Sequence, residues 1–126
     1  MNIETVKSIF QLISGEEDTE TYLPFIELAV LDTEKMLADG ADTEDARLDF
    51  LCAAIENFRL QQANSARDRS ESVYAGRLIS SSESDSALEF AEKLLMDYMN
   101  LCEDLIDSRT FVFMSFGPEG RLIENA

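Results

Sequence analysis

Apolar residues recur at helical spacing in four stretches of the chain. The longest lies between Thr43 and Arg67, where Leu48, Leu51, Cys52, Ile55 and Phe58 fall on one stripe. Ala53, Ala54, Ala63 and Ala66 are small and strongly helix-forming, so neighbours can approach this segment closely. Its other face carries Arg47, Asp49, Glu56, Arg59, Gln61, Gln62 and Arg67. Asp42 or Thr43 is placed to cap the first turn, with Glu44 and Asp45 at the positive end of the helix dipole. The stripe fades after Phe58, which predicts a core helix whose C-terminal end projects beyond the core.

The other stretches read as its packing partners. Ile3 to Ile13 is a short amphipathic helix on which Ile3, Val6, Ile9, Phe10 and Ile13 share a face, and Ser14-Gly15 stops it. An acidic turn, Glu16 to Glu20, follows. Tyr22 to Asp39 is predicted as the second helix, with Pro24 tolerated in the first turn, where the backbone N–H groups have no partner anyway. Tyr22, Phe25, Ile26, Ala29, Val30 and Leu37 line one of its faces. Leu28, Leu31 and Met36 widen that face, so this helix is expected to be covered on more than one side. Gly40 is the expected stop, and the short connection implies antiparallel packing on the third helix. Near the C-terminus, Ser86 and Glu89 match a capping box. The helix behind them is predicted to reach about Ile106, with Phe90, Ala91, Leu94, Tyr98, Leu101, Cys102 and Leu105 as its stripe.

Two stretches break the helical pattern. Asp68 to Ser72 is polar, Val73 to Ile79 has strand character interrupted by Gly76, and Ser80 to Asp85 is a low-complexity loop. Thr110 to Phe116 is a continuous apolar run ended by Gly117-Pro118. The expected architecture is therefore mainly α. It is a single helical domain over residues 1–126, a bundle of three to four helices with a long loop between the last two. Residues 107–126 form a strand-like tail.

Composition sharpens this picture. Of 126 residues, 26 are acidic and 10 basic, for a net charge of −16. Such a surface repels nucleic acid and anionic membrane, so no specific nucleic-acid binding is expected. Hydrophobic residues make up 45 %, enough for a core. Cys52 and Cys102 sit on apolar faces and read as reduced, buried thiols. No stretch approaches the ~20 apolar residues of a membrane helix. The N-terminus lacks a signal-peptide pattern, and the expected location is cytoplasmic.

The sequence holds no histidine and no tryptophan. That removes the usual general base, the commonest metal ligand and the Ser-His-Asp and Cys-His arrangements. Asp39 to Asp42 lacks the ordered ladder of a calcium loop. Glu89 and Glu92 look like one half of the carboxylate pairs of all-helical nucleotide pyrophosphohydrolases, but Glu103 and Asp107 do not supply the second half. No glycine-rich phosphate loop is present. The expectation is a protein that is not an enzyme, with no cofactor, no metal and no small-molecule substrate.

The order of segments resembles a known family. A short helix and an acidic turn precede a helix carrying Tyr22-Leu-Pro-Phe-Ile-Glu-Leu-Ala-Val. A Gly/Asp turn, the alanine-rich run Leu51-Cys-Ala-Ala-Ile, the extended piece Val73-Tyr-Ala-Gly and a closing helix follow. Over about residues 3–107 this is similar in order and texture to the small head–tail connector, or head-completion, proteins of tailed phages and prophages. The acidity and the strand-like tail depart from that pattern. The resemblance implies a non-enzymatic structural protein of the virion that assembles into a ring at the neck, with copies of itself or neighbouring virion proteins as partners. An acidic channel would let the DNA duplex slide. The competing class is a small acidic adaptor, chaperone or DNA-mimicking inhibitor that binds a protein partner. Interaction residues are expected in the loop and tail: Arg67, Arg69, Tyr74 and Arg77, which concentrate positive charge and an aromatic ring, and Phe111, Phe113 and Phe116. The tail can pair with Val73 to Ile79 of its own chain or add to a neighbour's edge, and assembly through the second mode is the reading preferred here.

Overall fold

The computed structural model describes residues 1–74 and 82–107, with side chains described for 1–68 and 85–107. Within them the chain is mainly helical. Helix α1 spans Ile3–Ser14, α2 Leu23–Met36, α3 Ala46–Tyr74 and α4 Ser82–Leu101. Local chemistry sets several of these ends. The Asn2 side chain accepts the Thr5 N–H and caps α1, and Gly15 closes it in the left-handed region (φ 77°) with its N–H on the Gln11 carbonyl. Pro24 sits in the first turn of α2.

Helix α3 is the centre of the bundle. The principal packings of α1, α2 and α4 are all against it. From Leu48 to Leu60 it is buried almost all the way round, with Leu48, Leu51, Cys52, Ala53, Ala54 and Ile55 fully enclosed. Val6, Ile9 and Phe10 of α1, Ile26, Ala29 and Met36 of α2, and Ala91, Leu95 and Met99 of α4 complete the core. Of the core residues expected from the pattern, Leu51, Ile55, Phe58, Ile26 and Ala29 are buried, and Phe25, Leu94 and Tyr98 are half-buried.

Several expected boundaries move, each for a physical reason. Helix α3 starts three residues after Thr43. The Asp42 carboxylate instead accepts the Glu44 N–H within a turn, and Asp45 takes the capping role by accepting the Arg47 N–H at 2.9 Å. At its far end α3 runs through Asp68–Ser72 to Tyr74, where a polar loop and a strand-like piece were expected. Ala46–Tyr74 contains no glycine or proline to interrupt the helix. Helix α2 stops at Met36, before Gly40 is reached, because Leu37 is extended and forms an isolated antiparallel bridge with Ile106. The Ala38 N–H bonds the Leu105 carbonyl at 2.9 Å and the Asp107 N–H bonds the Met36 carbonyl at 2.7 Å. That clasp also ends α4 at Leu101, since residues 102–105 turn back to reach it. Helix α4 begins at Ser82, so Ser86 lies inside it and does not cap it. The loop expected at Ser80–Asp85 is helical from Ser82 onward. The tail Thr110–Phe116 lies outside the described residues.

Candidate interaction surface

The stripe expected to bury α4 does so only in part: its Ala91, Cys102 and Leu105 are buried, and Leu95 and Met99 join them from the flank. Ala91, Leu95, Met99 and Cys102 face the core. Phe90 is 71 % exposed and Leu101 48 % exposed, with Leu94 and Tyr98 half-buried between them. These four residues follow one another at helical spacing (i, i+4, i+8, i+11) and form an apolar band beside the buried sector. Phe50 of α3, 41 % exposed, extends the band by packing edge-on against Tyr98 with ring centroids 5.7 Å apart. Glu89, Lys93 and Asp97 are exposed on its outer side.

A second apolar area lies on α2. Leu28 and Leu31, expected to be covered, stand exposed at 40 % and 55 %. The opposite side of α2 supplies the core contacts, through Ile26, Ala29, Thr33 and Met36. Leu12 on α1 is exposed as well. Large apolar side chains thus reach solvent on separate helices of one molecule. Scattered single exposures are ordinary, but this is a contiguous band of four side chains on one helix and a ring of its neighbour.

Charged groups hold these helices in place. The Arg47 guanidinium bridges the start of α3 to the end of α4. It donates to Asp45 (2.9 Å), to both oxygens of Asp104 (2.8 and 3.0 Å) and to the Leu101 carbonyl (3.0 Å). Its hydrogen bonds hold the Asp45 and Asp104 carboxyls below the usual range. Arg59 pairs with Asp32 of α2 at 2.9 Å. Neither arginine therefore lies on the fully solvated face that the sequence pattern suggested.

The same pattern placed Asp49 and Glu56 on that polar face, and the structure buries both. Asp49 accepts the Asn2 N–H at 3.0 Å. Glu56 is completely enclosed, and neither of its carboxyl oxygens has a hydrogen-bond partner among the described residues. Burial pushes its carboxyl up to about 8, against a lowering influence from the Lys7 ammonium. The cause is position: neighbouring helices cover α3 over most of its circumference at these turns, and the Asp49 and Glu56 positions fall within the covered part. The signal that could have revealed this is the uninterrupted Leu51-Cys-Ala-Ala-Ile run directly before Glu56, which leaves no polar arc through the middle of α3. Cys52 and Cys102 are buried free thiols, as expected, and burial pushes them up to about 12 and about 11.

The interaction residues expected from sequence are not brought together by the described structure. Arg67 is exposed near the C-terminal end of α3 and donates to Asn64 at 2.7 Å. Arg69 and Tyr74 lie on the last turns of α3, their side chains beyond those described. Arg77, Phe111, Phe113 and Phe116 fall outside the described residues. Among the described residues no three His, Cys, Asp or Glu side chains are grouped to hold a metal, and no helix is long and apolar enough to cross a membrane. Comparison with known protein families, with curated proteins and with solved structures finds no match to this chain.

Proposed function

We propose that this chain is a non-enzymatic structural protein that assembles with copies of itself, in the manner of the phage head–tail connectors its helix order resembles. One observation carries the reading: unlike apolar surfaces stand exposed on two different helices, Phe90–Leu94–Tyr98–Leu101 with Phe50 on α4 and α3, and Leu28–Leu31 on α2. A ring needs a heterologous contact, in which one patch of each copy meets a different patch of the next. Two distinct patches on one small bundle supply the required pair. The acidic surface suits a channel for DNA, because carboxylates around a pore repel the phosphates that pass.

The test is light scattering on size-separated protein. Wild type is expected to form oligomers larger than a dimer as concentration rises. Phe90→Ser with Leu101→Ser blocks one patch, and Leu28→Ser with Leu31→Ser blocks the other; each variant alone should be monomeric. Mixed in equal amounts, the two variants retain one good patch each and should form dimers that go no further. A wild type that stays monomeric throughout would favour the acidic-adaptor reading. Oligomers that survive both pairs of substitutions would remove these patches from the assembly.

A further inference from the structure

The described chain ends on the α2 side of the bundle, away from the apolar band of α4. Asp107, its last residue, donates its backbone N–H to the Met36 carbonyl at the end of α2, at 2.7 Å. Helix α2 packs on the side of α3 that carries Arg59, which bonds Asp32 at 2.9 Å. Phe50, the α3 member of the band, precedes Arg59 by nine residues, about two and a half turns at 3.6 residues per turn. The two side chains therefore leave α3 in opposite directions. Leu28 and Leu31 stand exposed on α2 itself.

Beyond Asp107 come residues 108–126, in which Phe111, Val112, Phe113, Met114 and Phe116 form an apolar run set between Arg109 and Arg121. On the basis of the head-to-tail assembly proposed above, we propose that this run seats on the Phe90, Leu94, Tyr98 and Leu101 band of the next copy. The occupant of the band is thus the segment 111–116 of a second copy, delivered from the α2 side of that copy.

Position, length, charge and chemistry agree on this occupant. A head-to-tail contact sets α2 of one copy against the band of the next, so the chain end at Met36 and Asp107 emerges beside the neighbour's band, while its own band lies across α3. From Phe90 to Leu101 the band runs ~16 Å along α4, and six extended residues span roughly the same length. Phe90, Tyr98 and Phe50 offer aromatic rings, which pack favourably edge to face with further phenylalanines. Glu89 and Asp97 lie exposed along the outer side of the band, within reach of the arginines that flank the run. The described residues offer the run no strand ladder to extend, only the Leu37–Ile106 bridge, so a helical face is the apolar surface open to it. One contact then takes two apolar surfaces out of water, each of which is an aggregation hazard alone.

Light scattering on the full chain compares wild type with Phe111→Ser plus Phe113→Ser. The concentration at half-assembly should rise about tenfold or more, the worth of one buried phenylalanine, with the helical circular dichroism kept. A peptide of residues 108–126 is then added to ¹⁵N-labelled chain truncated after Arg109. The amides of Leu94, Tyr98 and Leu101 should shift and saturate, and Phe90→Ser with Leu101→Ser in the labelled chain should abolish the response. If the truncated chain does not fold, the labelled full-length serine variant takes its place. A wild type that stays monomeric at every concentration removes the assembly and this contact with it. A serine variant that assembles as readily as wild type leaves the assembly standing and removes only the seat of the run. A peptide that shifts no band amide also overturns the seat. So do band amides that already differ between the labelled variant and wild type in dilute monomer, which would place the run on its own copy.

Discussion

Helices α3 and α4 both carry apolar stripes, and the fold treats them in opposite ways. Between Leu48 and Leu60, α3 is covered over most of its circumference, with Phe50 the one exposed side chain, and it encloses even Asp49 and Glu56. Helix α4 is covered on one sector only and leaves Phe90 and Leu101 in water. The difference teaches that a side chain's fate here follows from where its helix sits. In the central helix a carboxylate is buried at a cost. On a peripheral helix a phenylalanine is exposed because nothing within the described bundle reaches it.

The largest expected effect tests the buried side of this contrast. The folded Glu56 carboxyl titrates at about 8 against an ordinary 4.5, so the unfolded chain releases this proton first. The favourable state is the protonated one, so stability falls as pH climbs from about 4.5 towards 8 and the loss levels off above that. Glu56→Gln should remove this slope, and the variant's advantage over wild type should grow by on the order of 4 kcal/mol across that window. Urea unfolding at pH 5 and pH 9 checks it; equal slopes in both proteins would show that Glu56 is not an unpaired buried acid.

Truncation inside and outside the core should differ almost as sharply. Leu51→Ala removes a fully enclosed side chain and should cost about 3 kcal/mol. Phe90→Ser removes a larger side chain yet should cost less than ~0.5 kcal/mol, because that ring is already in water. Comparable losses at the two sites would mean that α4 is covered after all. The Arg47 fork, which ties the two helices together, gives a subtler effect. Arg47→Met should increase hydrogen exchange at Cys102, Leu105 and Ile106 while leaving the middle of α3 protected. Asp45 and Asp104 are held below their ordinary value of 3.8, so what they add to stability is present above that pH and lost as the pH drops through their folded values. Acid should therefore loosen this end of α4 early. The smallest effect is general: with a net charge of −16, moderate salt should raise the melting temperature by screening self-repulsion, most visibly below 0.1 M, where the Debye length exceeds about 10 Å. A flat melting temperature would show that the carboxylates are mostly paired.

Much of the fold was legible in the residues. The four helices follow from periodicity, the stop at Gly15 from a glycine free to adopt positive φ, and the burial of Leu51, Ile55, Ile26 and Ala29 from their places on a stripe. The candidate surface was legible only in part. Phe90, Leu94, Tyr98 and Leu101 stood out on one stripe with Ala91, Cys102 and Leu105; the last three are buried as expected, Leu94 and Tyr98 are half-buried, and Phe90 and Leu101 open to water.

Sequence by itself determined that the chain forms amphipathic helices, that it lacks the histidine chemistry of common active sites, and that its surface is strongly negative. Tertiary structure decided which apolar sectors are covered, that α2 and α4 stop where Leu37 meets Ile106, and that Glu56 ends inside. The physical reason is that the hydrophobic effect has no direction. Periodicity reveals that a helix has an apolar face, while only the packing of its neighbours selects which face loses its water and which polar group is enclosed with it.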